Sequence, residues 1–258
     1  MLRKKIVAGV LVGALAVFGA FGLAACGGGS SNELGLIEDG KLLVATSPDS
    51  EPFENLEGDE YVGLEVDLIR AVGEQMGLEI EFKNMQFDAI IPAIVAGGQA
   101  DIGMSGFSVT PERAEEIDFT TSYFTDDMGV LVMSGGSVTE ENAADALNQS
   151  DVIFAVQSGT TGEDYAKETF PNAQIKGYGN ANDTFAALQA GEADAVCTNL
   201  SVANTMLKSY TEATVVMKIA TGEDYAMVVS KENPELLEAI NAALAELETS
   251  GKIKEIFG

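Results

Sequence analysis

A nine-residue stretch at 105–113, SGFSVTPER, gathers one glycine, three hydroxyl side chains and one guanidinium. Gly106 lets the backbone approach a ligand closely, and the hydroxyls of Ser105 and Ser108 can donate hydrogen bonds. Arg113 can grip a planar carboxylate with two parallel hydrogen bonds. The combination is typical of a site that binds a carboxylate.

The same stretch contains a helix start. Thr110 is a favoured N-cap residue and Pro111 suits the first helical position, so free backbone N–H groups would be presented here. The loop follows a predicted strand at 102–104, and ligands of open α/β sheets lie beyond the carboxyl ends of strands. The alternative is an ordinary capped helix in which Arg113 pairs with Glu116 or another acid. Spacing alone leaves both interpretations open.

Short apolar runs alternate with helical patterns, as in a series of βα units. Strands are predicted at 41–46 and 79–83. One helical stripe comprises Leu64, Leu68, Val72 and Met76, and its helix should end at Gly77. A second stripe comprises Phe87, Ile90, Ile91, Ile94 and Val95. This alternation favours a mostly parallel sheet flanked by helices.

One local pattern occurs twice, as AGGQAD at 96–101 and AGEAD at 190–194. In both places a helix should stop at glycine, and a buried strand should begin after Ala-Asp. The repeat indicates two similar lobes. The alternative is that such turns recur by chance in βα proteins.

Two apolar runs, at 128–133 and 225–229, could carry the chain out of the first lobe and back. The C-terminal helix at 234–250 would then belong to the first lobe. Its apolar stripe comprises Leu236, Ile240, Ala243, Leu244 and Leu247. Two crossings between lobes form a hinge.

The N-terminus has the pattern of an export signal. A basic start is followed by an apolar stretch and then by Leu-Ala-Ala before Cys26. This pattern resembles the bacterial lipobox, in which Cys26 would become the lipidated first residue of the mature protein. The alternative is an uncleaved membrane anchor, since about 20 apolar residues can cross a bilayer.

Composition narrows the classes of function. Without residues 1–25, 11 basic residues face 41 acidic ones, which disfavours nucleic acid as a partner. The sequence contains no histidine, which lowers the expectation of Ser/His or Cys/His catalysis. If Cys26 carries lipid, Cys197 stands alone and is expected in the core. No metal ion and no cofactor is expected.

Several motifs occur in order along the chain. They are PFE at 52–54, VGLEVDL at 62–68, FDAIIPA at 87–93, TPER at 110–113, IDF at 117–119, QSGTT at 157–161 and SGKI at 250–253. The set resembles the family 3 solute-binding proteins of polar amino-acid ABC importers, over essentially the whole mature chain. The resemblance implies an α/β, two-lobed, type II periplasmic-binding-protein fold. Each lobe would have a mostly parallel sheet flanked by helices, and two hinge strands would join the lobes.

The resemblance also implies a set of ligand-binding residues. In that family the arginine of T-x-x-R binds the ligand's α-carboxylate, which gives this role to Arg113. Thr160 and Thr161 of the QSGTT turn would add donors to the same carboxylate. Phe87 would line the side-chain pocket or, alternatively, lie in the core. The full set is Arg113, Ser105, Gly106, Ser108, Thr160, Thr161, Asn199, Phe87, Ser47, Ser50 and Gln157.

The sequence departs from the family pattern at Asn199, where an aspartate usually pairs with the ligand's α-ammonium group. A neutral amide cannot cancel a buried positive charge. Either another acid compensates or the ligand's amino group differs. Alternatively, Asn199 caps the helix that begins near Ser201.

A second departure lies at 46–51, where the family commonly has an acid at Ser47 and an aromatic residue at Ser50. Ser50 cannot stack on a ligand, so the pocket would be more open or more polar. Asp49 or Glu51 could face a cationic group, although solvation at the surface is expected for each.

The predicted function is capture of a polar or charged amino acid between the lobes and its delivery to an ABC permease and its ATPase. The protein would be a monomer, lipid-anchored at the extracytoplasmic face of the bacterial membrane. The alternatives are an enzyme of the cyclohexadienyl dehydratase type and a ligand sensor. The predicted segments are a signal peptide (1–25), a lipidated tether (26–38), lobe 1 (39–127 and 223–258) and lobe 2 (128–222).

Overall fold

The computed structural model describes residues 31–258. The strands are β1 (Lys41–Thr46), β2 (Asp49–Ser50), β3 (Glu54–Glu57), β4 (Glu60–Val62), β5 (Glu79–Asn84), β6 (Ile102–Gly103), β7 (Asp118–Phe119), β8 (Phe124–Met133), β9 (Ile153–Gln157), β10 (Gln174–Tyr178), β11 (Ala195–Asn199), β12 (Ala213–Tyr225) and β13 (Val228–Val229). The helices are α1 (Leu64–Met76), α2 (Phe87–Ala96), α3 (Pro111–Glu116), α4 (Ala143–Leu147), α5 (Thr161–Thr169), α6 (Ala181–Ala190), α7 (Leu200–Met206), α8 (Pro234–Thr249) and α9 (Lys252–Phe257), after a 3₁₀ turn at Ser31–Leu34.

The first sheet has the strand order β5-β1-β6-β13-β7. β1 is parallel to β5 and β6, whereas β13 is antiparallel to β6 and β7. Leu43 and Ala45 of β1 pack with α2, while Leu42 and Val44 join the core that contains α1 and α8. Burial on both faces explains why β1 is a continuous apolar run in the sequence.

The second sheet has the order β10-β9-β11-β8-β12. β9 is parallel to β10 and β11, and β8 is antiparallel to β11 and β12. In each sheet, four of the five strands therefore point the same way and one is reversed. The predicted two-lobed α/β fold is confirmed. A small antiparallel sheet, β2-β3-β4, is attached to the first lobe.

The repeated Ala-Asp pattern has the same structural role in both lobes. Asp101 exchanges two hydrogen bonds with Leu43 of β1, its N–H donating to the carbonyl and its carboxylate accepting from the N–H, each at 2.8 Å. Asp194 makes the same pair of bonds with Ile153 of β9, at 2.8 and 2.9 Å. Each aspartate thus forms hydrogen bonds that join the start of one strand to the parallel strand beside it. This equivalence favours a structural repeat over chance.

The chain crosses between the lobes twice, between β7 and β8 and between β12 and β13. At the crossing, β8 and β12 pair, with Asp126 opposite Glu223 and Phe124 opposite Tyr225. α8 packs on α1 of the first lobe, and its predicted apolar stripe is buried. We retain as a proposal the lobe boundaries 39–127, 128–222 and 223–258, with the β8–β12 ribbon as the hinge.

Two details differ from the sequence prediction for α2. Val95 is 51% exposed and Ile91 is half-buried, while Phe87, Ile90 and Ile94 are buried. The helix turns 100° per residue, so only the three positions that point at the sheet are covered. α1 does end at Gly77, which adopts a left-handed conformation with φ of 69°.

Cys197 is buried, as expected. Cys26, the signal peptide and the first part of the tether, up to residue 30, lie outside the described residues. Across residues 31–258, no helix is both long and apolar enough to cross a membrane. The same residues contain no group of side chains that could hold a metal ion.

Candidate functional site

A cavity lies in the cleft between the two lobes. Ten of the eleven predicted ligand-binding residues line it: Ser50, Phe87, Ser105, Gly106, Ser108, Arg113, Gln157, Thr160, Thr161 and Asn199. Ser47 lies behind this wall, where its N–H donates to Ser105 Oγ at 3.1 Å. The cavity is also lined by five residues outside the predicted ligand-binding set: Phe53, Glu54, Thr198, Val202 and Tyr225.

Arg113 is fixed by contacts to the backbone and to aromatic rings. Its guanidinium donates to Ser108 O at 2.8 Å and, across the cleft, to Gly159 O at 3.0 Å. It lies 5.5 Å from the ring centre of Phe87 and 5.4 Å from that of Phe107. Burial lowers the pKa of Arg113, and the nearby carboxylate of Glu223 opposes that shift.

The predicted helix start before Arg113 is present. Thr110 caps α3 by accepting from Arg113 N at 3.2 Å, and Pro111 is the first helical residue. Within residues 31–258, Arg113 forms no salt bridge with an acid, so the expected alternative of a pair with Glu116 is wrong. The guanidinium is therefore a half-buried cation that faces the cavity, and only two of its five N–H groups donate to other groups among residues 31–258.

The loop before Arg113 is held by two buried carboxyl groups. Gly106, at φ of 59°, donates its N–H to both oxygens of Glu65, at 3.1 and 3.0 Å. Ser105 Oγ lies 3.0 Å from Glu54 Oε1. The N–H of Gly106 is thus engaged by the protein itself. The predicted contribution of Gly106 to ligand binding is therefore that it lets the backbone approach the ligand closely.

Three side chains converge on one oxygen of Glu223. Ser108 Oγ and Thr161 Oγ1 donate to Glu223 Oε2, the latter at 2.7 Å. Asn199 Nδ2 donates to the same oxygen at 3.3 Å. These are hydroxyl and amide groups predicted to bind the ligand, and β12 brings a carboxylate to them.

Asn199 occupies the N-cap position of α7, as the alternative interpretation expected, but its side chain makes no capping hydrogen bond. Asp126 accepts hydrogen bonds from the N–H and the hydroxyl of Ser201 in the first turn of α7. Tyr225 OH also donates to Asp126, at 3.2 Å. Asn199 is free to face the cleft.

Thr160 has a structural role in this state. Its hydroxyl caps α5 by accepting from Glu163 N at 3.2 Å and donates to Gln157 O at 2.7 Å. Of the two threonines, only Thr161 has its hydroxyl directed to Glu223.

Asp49 corrects an expectation from the sequence, since it is 3% exposed instead of solvated. Its carboxylate crosses the cleft and accepts from Ala181 N at 3.0 Å and from Gln157 Nε2 at 3.2 Å. Ser50 Oγ donates to it at 3.3 Å. Burial raises the pKa of Asp49, and these hydrogen bonds oppose the increase. Glu51 is exposed, as expected.

Phe87 combines its two predicted roles. It is 7% exposed, stacks on Phe107 with ring centres 4.6 Å apart, and still lines the cavity. The two rings form the surface on which Arg113 rests, so they orient the guanidinium.

Together, two α/β lobes and a polar cleft that contains a half-buried cation are the features of a protein that binds a small solute. The model of the bacterial extracellular solute-binding proteins, family 3, matches residues 42–258. The chain belongs to this family, and the resemblance seen in the sequence is confirmed.

Individual relatives are similar along most of their length. The arginine-binding extracellular protein ArtP of Bacillus subtilis is 29% identical over 242 residues, which cover 92% of this chain and 91% of ArtP. An ancestral arginine-binding protein, solved with bound glutamine, is 32% identical with a TM-score of 0.78, covering 85% of this chain and 97% of that one. The ancestral amino acid-binding protein AncCDT-1, a precursor of cyclohexadienyl dehydratase, is 34% identical with a TM-score of 0.77, covering 84% and 94%.

Proposed function

We propose that the protein captures a polar or cationic α-amino acid in this cleft and delivers it to an ABC permease and its ATPase. The observation that carries the proposal is the Arg113 guanidinium, a half-buried cation that lines the cavity with free donors and forms no salt bridge among residues 31–258. A buried charge without a partner is costly, and a ligand carboxylate would remove that cost.

The proposed mechanism is closure around the ligand. The first lobe holds the ligand's carboxylate through Arg113, and the β8–β12 ribbon bends. The second lobe then brings Thr161 and the carbonyl of Gly159 to the same place. The ligand shifts the equilibrium because it makes contacts in the closed state that the open state lacks. No ligand bond is broken, and no cofactor takes part.

The names of the relatives support the ligand class. ArtP is an arginine-binding protein, and the ancestral arginine-binding protein was solved with glutamine. With Ser50 in place of an aromatic residue, the pocket of this chain is more polar and less able to stack on a ligand. Its ligand would therefore be recognised through hydrogen bonds.

The proposed location follows from the export pattern. We infer a mature chain that begins at Cys26, carries lipid there, and works as a monomer at the extracytoplasmic face of the membrane. Metabolic labelling with a lipid precursor should label the wild-type chain and leave Cys26→Ser unlabelled.

The test of the binding function is calorimetric titration of the protein, unfolded and refolded to remove bound ligand, against the common L-amino acids. We expect tight binding of one or a few polar or cationic amino acids. Absence of binding across the whole set, or conversion of an arogenate-like substrate to product, would contradict the proposal and favour the enzyme alternative.

Closure should depend on Asp49, the carboxylate that crosses the cleft to the first turn of α6. In Asp49→Asn, the negative charge that interacts favourably with the N-terminus of α6 is lost. The new amide also directs N–H groups at Ala181 N and Gln157 Nε2, which are themselves donors. We expect ligand affinity to fall about tenfold, the equivalent of one charge-assisted hydrogen bond.

The matched control for Asp49 is Asp183→Asn, which removes an exposed acid from the first turn of the same helix. Small-angle scattering of the ligand-free proteins should show a larger radius of gyration for Asp49→Asn only. Equal affinities for the wild type and Asp49→Asn would mean that the bonds of Asp49 do not contribute to closure.

A further inference from the structure

Glu223 brings a carboxylate into the ligand site from the hinge. It lies on β12 opposite Asp126, at a point where the register of the β8–β12 pair shifts. Its Oε2 accepts from Ser108 of the first lobe and from Thr161 and Asn199 of the second. One oxygen atom is thus held by both lobes.

Among residues 31–258, the other acids near the cavity are less suited to pair with an α-ammonium group. Glu54 lines the cavity, but it is fully buried and its Oε1 accepts from Ser105 Oγ at 3.0 Å. Asp49 and Asp126 have both oxygens engaged by the protein's own donors. Glu65 is occupied by Gly106 and Tyr123. Within residues 31–258, Glu223 Oε1 accepts no hydrogen bond, so Glu223 retains capacity for a cation.

We propose that Glu223 supplies the negative charge that pairs with the ligand's α-ammonium group, and that Asn199 positions Glu223 for this role. The proposal rests on the binding function proposed above. It explains how an amide can stand at position 199 without leaving a buried ammonium group unpaired.

The exchange of partners follows from the geometry. A ligand carboxylate on Arg113 takes the hydroxyls of Ser108 and Thr161, which now donate to Glu223. Glu223 then keeps the bond from Asn199 and has most of its carboxylate free. In an α-amino acid, the ammonium and carboxylate groups are attached to the same carbon atom. The ammonium group therefore lies beside the oxygen that the two hydroxyls have released.

The test compares two ligands in each protein. The first is the L-amino acid that the wild type binds most tightly, and the second is the same molecule without its α-amino group. These analogues are δ-guanidinovaleric acid for arginine and glutaramic acid for glutamine. In Glu223→Gln we expect affinity for the amino acid to fall about 30-fold or more, as when one partner of a buried charge pair is removed. Affinity for the analogue should change by less than about threefold, because it has no ammonium group to lose.

Two further variants separate charge from structure. Asp224→Asn removes the adjacent, exposed acid of the same strand, which accepts from Thr125 Oγ1 at 2.7 Å, and should bind both ligands like the wild type. The double variant Asn199→Asp with Glu223→Gln returns an acid to the opposite side of the same contact. It should recover at least half of the lost binding free energy.

The outcomes are distinguishable. If the wild type binds no amino acid, the proposed function itself fails. If the wild type binds one and Glu223→Gln binds it equally well, only the role of Glu223 fails. Tighter binding of both ligands by Glu223→Gln would also overturn the proposal, because Glu223 would then be a competitor for the carboxylate site.

Discussion

Replacing Arg113 by methionine is expected to weaken amino-acid binding by about 30-fold or more, a loss as large as that expected for Glu223→Gln. The variant loses the bidentate donor of the carboxylate, while its flexible apolar side chain can still pack between Phe87 and Phe107. Arg113→Lys keeps the charge and loses the planar fork, so its affinity should lie between those of the wild type and Arg113→Met. Calorimetric titration measures all three.

The stability of the ligand-free protein should respond differently. The guanidinium of Arg113 is half-buried beside the rings of Phe87 and Phe107, and burial lowers its pKa. Removing that charge therefore offsets the loss of the hydrogen bonds to Ser108 O and Gly159 O. We expect the thermal midpoint of ligand-free Arg113→Met to stay within a few degrees of the wild type.

A matched control exists at Arg70, which lies 6.0 Å from the ring centre of Phe82 and donates to Tyr61 O at 3.0 Å, outside the cleft. Arg70→Met removes the same kinds of contact and should leave affinity unchanged. If Arg113→Met bound ligand as the wild type does, the half-buried cation would not be the carboxylate site.

The sequence predicted the parts of the site that local pattern encodes. The capped start of α3 and the position of Arg113 follow from Thr110 and Pro111, because capping preferences act within a few residues. The Ala-Asp repeat also indicated two lobes with equivalent strand pairs. Whether the residues gathered in the cavity bind the ligand remains a prediction.

The parts that the sequence could not predict depend on long-range placement. Glu223 reaches Ser108 and Thr161 only because β12 shifts register against β8 between Ile219 and Glu223. Such an irregularity leaves no periodic pattern. Asp49 is buried because the lobes close on it, and a polar stretch such as TSPDSE is otherwise typical of surface.

Two buried carboxyl groups beneath the ligand loop should make the protein's stability depend on pH. Glu54 and Glu65 are both fully buried, and their carboxyl groups lie close enough for the charge of Glu65 to raise the pKa of Glu54. Among residues 31–258, Glu54 Oε2 receives no N–H or O–H donor, whereas Glu65 accepts from Gly106 N and Tyr123 OH. A shared proton therefore belongs on Glu54, which donates it to Glu65.

The direction of the pH effect follows from that proton. Burial, followed by the charge of Glu65, raises the pKa of Glu54 well above its usual value. The folded state thus keeps a proton that the unfolded state loses above about pH 4.5, the usual value for glutamate. Its contribution to stability is complete below that pH and is lost as the pH rises through the folded-state pKa. Each pH unit in this window costs about 1.4 kcal/mol for one proton.

Two isosteric variants should behave in opposite ways. In Glu54→Gln, the amide replaces the protonated carboxyl group, accepts from Ser105 and donates to Glu65. The free energy of unfolding of this variant therefore lacks the pH dependence that the proton on Glu54 causes. Its free energy of unfolding should exceed that of the wild type by a margin that grows with pH. In Glu65→Gln, an N–H group faces the donors Gly106 and Tyr123, and we expect a loss of about 2–4 kcal/mol at every pH.

Urea unfolding of both variants and the wild type at several pH values between about pH 5 and pH 8 measures the free energy of unfolding of each protein. Parallel pH profiles for Glu54→Gln and the wild type would mean that Glu54 is ionised in the folded protein. Equal effects of the two variants would mean that the proton is not fixed on one partner. Because Glu65 also holds the backbone of Gly106, Glu65→Gln should additionally weaken ligand binding, whereas Glu54→Gln should preserve it. The carboxyl pair would then support the loop from which Arg113 faces the cleft.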